Sequence, residues 1–225
     1  MHPSSVRRLE PNRKIIVIGG SAGSGKFIRE ILIGLPADLE AAIFVAVHRS
    51  LVGGVDYLPT SLDRIGTLPV NLASDGDRIE TGRVYVAPSE GYLLIERDLI
   101  RIERSEPRPS RDNVDAMFRS AAMNHSDTVV GVLLSRMLSD GTAGFWQIRK
   151  HGGVTIAQDP REAQYASMPQ SAMKDVPVDY CLPASEIALK LRELVRSSAR
   201  QPALRKGRVM IVEDEWLIAS DLERN

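Results

Sequence analysis

The chain has 225 residues, 43% hydrophobic and 26% charged, which is enough apolar material for one α/β domain with a buried core and too much for a disordered chain. Its 29 basic and 29 acidic residues cancel, so bulk charge gives no case for binding nucleic acid or an anionic membrane. Cys181 is the single cysteine and the longest apolar run, Ala41 to Val47, is far short of a bilayer span; no intrachain disulfide can form, no membrane insertion is expected, and a reducing, cytoplasmic setting is the simpler expectation.

Residues 1–13 are polar and read as a flexible tail, and the apolar run IIVI after them is too short for the core of a signal peptide. Lys14 to Ile18 reads as a strand buried on both faces, closed by Gly19-Gly20. From Lys26 to Leu35 the residues Phe27, Ile28, Ile31, Leu32 and Leu35 recur at helical spacing, and AAIFVAV, ending at His48, reads as the second strand. The stretch from Gly66 to Arg104 carries short runs such as RVYVAP, YLLIER and LIRIER between turn residues, and reads as extended and hairpin-like.

Asn113 to Met123 reads as a helix with Val114, Met117, Phe118 and Ala121 on one face. A strand over 128–134, a helix from Gly144 to Lys150, a strand over 154–158 and a helix from about Ser185 to Arg196 complete the unit. This alternation predicts an α/β, doubly wound, mostly parallel sheet with helices on both faces and a hairpin insertion, whose active groups collect beyond the carboxyl ends of the strands. Residues 14–196 are therefore expected to form the main domain, 197–206 a linker, and 207–225 the opening strand and helix of a further unit.

The stretch VIGGSAGSGKFIR satisfies two motifs with different chemistry. Gly20 to Lys26 spells G-x-x-x-x-G-K, a phosphate cradle, but Phe27 stands where a hydroxyl residue should bind Mg²⁺. Gly19 to Gly23 spells G-x-S-x-G, which places Ser21 on a strand-to-helix turn as a nucleophile. That reading needs a base and an orienting acid, and His48 and Asp140 each follow a strand, so parallel neighbours would bring all three to one edge. Taken singly, each has a plainer role: Ser21 or Ser24 as a helix cap, Asp140 before Gly141 as a turn residue, His48 as a satisfied histidine at a strand end. Together at three strand ends, the triad reading is favoured. His125 and His151, in polar helix-end contexts, are expected to be solvated, and no His/Cys/Asp/Glu set has metal-ligand spacing.

VIGGSAGSG around Ser21, AVHRS around His48, RVYVAPSEGYLL, RPSRDNVDAMF, GVLLSRMLSDGTAG and TIAQDPREAQYASMP follow one another in an order that resembles the catalytic domain of CheB-type protein-glutamate methylesterases, over about residues 14 to 196. The resemblance implies a doubly wound α/β fold and hydrolysis of γ-glutamyl methyl esters on the cytoplasmic helices of chemoreceptors, with deamidation of receptor glutamines as a second activity. It implies Ser21 as nucleophile, His48 as general base and then acid, Asp140 as the group that fixes the imidazole tautomer, and backbone amides near Ala22 and Met137 as oxyanion donors. It implies no metal or organic cofactor, and as partners the methylated cytoplasmic domain of a chemoreceptor and other chemotaxis signalling proteins.

Three departures stand out. Arg136 and Leu138 flank Met137 where the family has glycines, which makes Arg136 a candidate substrate contact and motivates an alternative reading as a catalytically impaired binding module. Arg49-Ser50 follow His48 where the family has an apolar residue and proline. The stretch RVMIVEDEWLIASDLERN resembles the start of a receiver domain, with Glu213 and Asp214 matching its metal-binding acids, whereas the family's full-length regulators carry the receiver ahead of the esterase.

Overall fold

The computed structural model describes residues 13–49, 55–104, 113–134, 141–162 and 178–199. A seven-stranded sheet organises them: β1 (Lys14–Ser21), β2 (Ala41–His48), β3 (Val70–Leu72), β4 (Arg83–Val86), β7 (Val129–Leu133), β8 (Val154–Gln158) and β9 (Tyr180–Leu182), in the order β3-β4-β2-β1-β7-β8-β9. Every pairing in that sheet is parallel. Between β4 and β7 the chain makes the antiparallel hairpin β5 (Tyr92–Ile95) and β6 (Ile100–Glu103). The helices are α1 (Gly25–Ile33), α2 (Tyr57–Asp63), α3 (Asn113–His125), α4 (Thr142–Lys150) and α5 (Ala184–Ala199).

Alternate residues of the central strands feed two separate cores, as the period of a strand requires. Ile16 and Ile18 of β1 with Ile43 and Val45 of β2 meet Phe27, Ile28 and Ile31 of α1, Leu62 of α2 and Ile187 and Leu191 of α5. On the opposite face Ile15 and Val17 with Phe44 meet Met117 and Phe118 of α3, Phe145 and Ile148 of α4, and Leu93, Ile95 and Ile100 of the hairpin. Phe118 and Phe145 stack with ring centroids 5.6 Å apart and so join α3 to α4. β1 is buried at six consecutive positions because both faces and both edges are covered, which is why its sequence is an unbroken apolar run rather than an alternation.

The expected doubly wound α/β fold with a hairpin insertion is the one observed, with differences that have physical causes. RVYV and the short strand VNL are not part of a hairpin; β4 pairs with β2 and β3 with β4, both in parallel. Only YLLI and IRIE form the antiparallel ribbon. α2 and β9 were not anticipated: α2 carries Pro59 in its first turn, a position that needs no backbone donor, and β9 is three residues long. α5 continues to Ala199, three residues into the stretch expected as a linker. Arg13, expected in a flexible tail, is held by an ion pair with Asp98 at 2.7 Å and a bond to the Ile79 carbonyl. The receiver-like stretch 207–225 lies outside the described residues.

Candidate functional site

Strand order places β1 at a topological switch. From β1 the chain winds one way through β2 to β4, then returns to the other side of β1 as β7 and continues to β8 and β9. In open parallel sheets the crevice beyond the carboxyl ends of the strands at this point is where ligands bind. Ser21 is the last residue of β1 and His48 the last of β2, and the two are directly paired across the parallel ladder. They are therefore lateral neighbours on one sheet edge, separated by 27 positions in sequence.

The turn after β1 is tight. Ala22–Ser24 form a single 3-10 turn that runs into α1, and Ser21 caps it. The hydroxyl of Ser24, fully buried, accepts the Ser21 N–H at 3.0 Å, and the two serines form a reciprocal capping box. A capping serine accepts through its oxygen and keeps its own proton to donate, so this role is compatible with a nucleophilic one. Gly19 and Gly20 permit the approach: a Cβ on Gly20 would sit 2.6 Å from the Ser24 Oγ, and one on Gly19 2.3 Å from the Val114 Cγ1 of α3. Ala22, the first residue of the turn, is at the position whose N–H has no partner within the turn itself.

The phosphate-cradle reading finds no support in this geometry. Phe27 faces the core at 7% exposure, and Lys26 lies over its ring at 4.5 Å from the centroid. The Ser21 amide, which a cradle would present to phosphate, is already taken by Ser24.

Asp140, Met137 and Arg136 lie outside the described residues; of the three candidate triad members, Ser21 and His48 are the two described, and they are paired. The neighbourhood is described on both sides of them. Leu133 pairs with Gly19 and Leu134 donates to the Gly19 carbonyl at 2.9 Å, so the chain leaves β7 beside the end of β1. It is described again from Gly141, whose φ of 99° starts α4 in the left-handed region. α4 is fixed in turn by Asp115 of α3, a buried carboxylate that accepts the Gly144 N–H.

Polar groups around this edge have partners that the sequence does not reveal. Arg49, next to His48, pairs with Asp56, and their side chains are 10% and 14% exposed. Asp159, just after β8, is bound through both oxygens by Arg161, whose hydrogen bonds and charge hold the carboxyl below its usual range. The only available signal was an acidic residue just beyond a strand, as in QDP. His125 and His151 are not simply solvated: His125 Nε2 lies 3.0 Å from the Glu96 carbonyl and His151 Nδ1 2.8 Å from that of Gln147. Burial pushes the His125 ring below its ordinary value. Among the described residues no group of His, Cys, Asp and Glu is placed to hold a metal ion, and no helix is long and apolar enough to cross a membrane.

The sequence model described as CheB methylesterase matches residues 16–191. A putative protein-glutamate methylesterase/protein-glutamine glutaminase of Leptospira interrogans is 34% identical over 179 residues, covering 79% of this chain and 92% of that protein. The protein-glutamate methylesterase/protein-glutamine glutaminase of Bordetella pertussis is 33% identical over 199 residues, which cover 84% of this chain but 56% of that protein, so the chain spans about half the length of that relative. Among solved structures, the crystal structure of the Thermotoga maritima CheB methylesterase catalytic domain superposes with a TM-score of 0.74 at 32% identity, covering 81% of this chain and 98% of that one.

Proposed function

The chain belongs to the CheB methylesterase family, and on that premise we propose that it is a serine esterase hydrolysing glutamate γ-methyl esters on the cytoplasmic helices of chemoreceptors, with deamidation of glutamines as a second reaction. The observation that carries this reading is the direct pairing of Ser21 with His48 at the carboxyl edge of the sheet's switch point. A serine nucleophile needs a base, and the place of His48 as the direct cross-strand partner of Ser21 supports that role for it.

In this mechanism the Ser21 hydroxyl attacks the ester carbonyl as its proton passes to the His48 imidazole. Negative charge develops on the carbonyl oxygen and is met by backbone N–H groups at Ala22 and near Met137. Collapse expels methoxide, which takes the proton back from His48 and leaves as methanol. Water, deprotonated by the same imidazole, then cleaves the acyl-enzyme to free glutamate and restore Ser21. Asp140 fixes the tautomer of His48 and stabilises the imidazolium that forms. With glutamine the same sequence expels ammonia. The alternative of an impaired binding module rested on Arg136 and Leu138, which lie outside the described residues, and no observation favours it.

The test is methanol release from methylated receptor cytoplasmic domain by the wild type and by Ser21→Ala. Release by the wild type that the variant abolishes is the expected result; equal rates would sink the proposal.

A further inference from the structure

β2 is supported unequally along its length. On the β1 side it is paired through to its last residue, His48. On the β4 side the ladder ends at Val45, which pairs with Val86 and accepts one more bond, from the Ala87 N–H at 2.8 Å. Ala46, Val47 and His48 thus project past the end of β4 with a partner strand on one side only. The His48 side chain is exposed, so core packing does not fix its rotamer.

Arg49 supplies the missing tie. Its Nε donates to Asp56 Oδ1 at 2.9 Å and one Nη donates to Asp56 Oδ2, a side-on bidentate pair. That same Nη donates to the Ala87 carbonyl at 2.9 Å, and the other to the Val47 carbonyl at 3.1 Å. Asp56 caps α2 by accepting the Leu58 N–H at 3.2 Å. One guanidinium therefore fastens the end of β2, the end of β4 and the start of α2, and its side chain folds back past His48 to the carbonyl of the preceding residue. A mostly buried, five-donor, planar group with four of these contacts satisfied is a rigid joint, not a solvated surface charge.

We infer that Arg49, held by Asp56, is a positioning residue that aligns the His48 imidazole with Ser21. The inference rests on the esterase reading for its catalytic meaning, but the alignment of His48 is a property of the free protein. Arg49 touches no reacting atom. Lysine keeps the charge but has neither the fork that meets both Asp56 oxygens nor the reach to serve two carbonyls at once, so geometry rather than charge is what it would lose. Displacement of a catalytic group by about 1 Å costs about a hundredfold in rate.

The experiment compares wild type, Arg49→Lys, Arg49→Met and Asp56→Asn. The free proteins are labelled with ¹³C at the histidine rings, the His48 signal is assigned with His48→Gln, and the signals of His125 and His151 serve as internal controls. The His48 ring signal is expected to shift or broaden in all three variants while those of His125 and His151 stay in place. In parallel, kcat for methanol release is expected to fall about 10- to 100-fold with KM within about twofold. Full recovery of kcat by Arg49→Lys would show that charge alone matters, and an unchanged His48 signal in folded Arg49→Met would show that Arg49 positions nothing; either overturns the inference. Should Arg49→Met fail to fold, Arg49→Lys and Asp56→Asn decide by the same two readouts. A wild type that releases no methanol, with a His48 signal that still responds, would remove the esterase reading and leave the alignment standing.

Discussion

The carboxylate of Asp115 in α3 accepts the backbone N–H of Gly144 in the first turn of α4, so one helix caps another. Gly141, at the N-cap of α4, provides no side-chain cap, and a buried N–H left without an acceptor costs the full price of its desolvation. Asp115→Ala is expected to lower unfolding stability by about 1–3 kcal/mol, and Asp115→Asn by less, since the amide keeps an acceptor oxygen. Urea denaturation of the two variants checks the order. If the two substitutions cost the same, the bond to Gly144 is not what Asp115 contributes.

Gly19 lies against α3 with no room for a side chain. Its Cβ would stand 2.3 Å from the Val114 Cγ1 and 3.1 Å from the Phe118 Cζ. Gly19→Ala is expected to destabilise by about 1–3 kcal/mol through overpacking, and Val114→Ala in the same molecule to restore part of the loss by emptying the contested volume. Additive destabilisation in the double variant, measured by thermal melts, would contradict this cause.

A pH dependence follows from His125. Burial pushes its folded-state value below the unfolded one, against a smaller opposing effect of its bond to the Glu96 carbonyl. The unfolded chain therefore binds more protons between those two values, and stability falls as pH drops through that window and levels off beneath it. His125→Gln is expected to flatten the decline in melting temperature between about pH 7.5 and pH 5, since no ring remains to charge. An unaltered slope would assign the acid sensitivity to other groups.

On the proposed esterase mechanism, Ser21 and His48 act as one unit and are expected to show strongly non-additive losses. Ser21→Ala and His48→Ala should each lower kcat by about 10⁴- to 10⁶-fold, and the double variant should lose little more. Steady-state methanol release measures all three, and losses that multiply would separate the two residues into independent roles.

Much of this architecture could be read from the chain because the central strands are buried on both faces and so write mainly apolar runs. KIIVI, AAIFVAV, VVGVLL and VTIAQ announced β1, β2, β7 and β8, and G-x-S-x-G announced the turn at Ser21. The periphery was harder. A short strand such as β4 shows its extended character in sequence but not its partner, so RVYV was read into a hairpin although it pairs in parallel with β2. α2 has seven residues with Pro59 among them, too little periodicity to see; its one clear signal was Asp56 as an N-cap. The Arg49–Asp56 joint was invisible because nothing in local sequence says that two charges seven positions apart will be buried together. Arg49 looked like a departure near His48, and the structure gives it partners.

β1 is the innermost strand of the sheet and is buried on both faces along its six middle residues, whereas the outer strands β3 and β9 have three residues each. Opening free energies rise from fraying edges to the most enclosed elements. Amides of β3 and β9 should thus exchange with solvent through small local openings, and those of Ile15 to Ile18 only when the whole domain unfolds. The strand that ends in Ser21 belongs to the last part of the molecule to come apart. Thermal breathing at the margins, or a sheet edge peeled away, would leave Ser21 paired with His48.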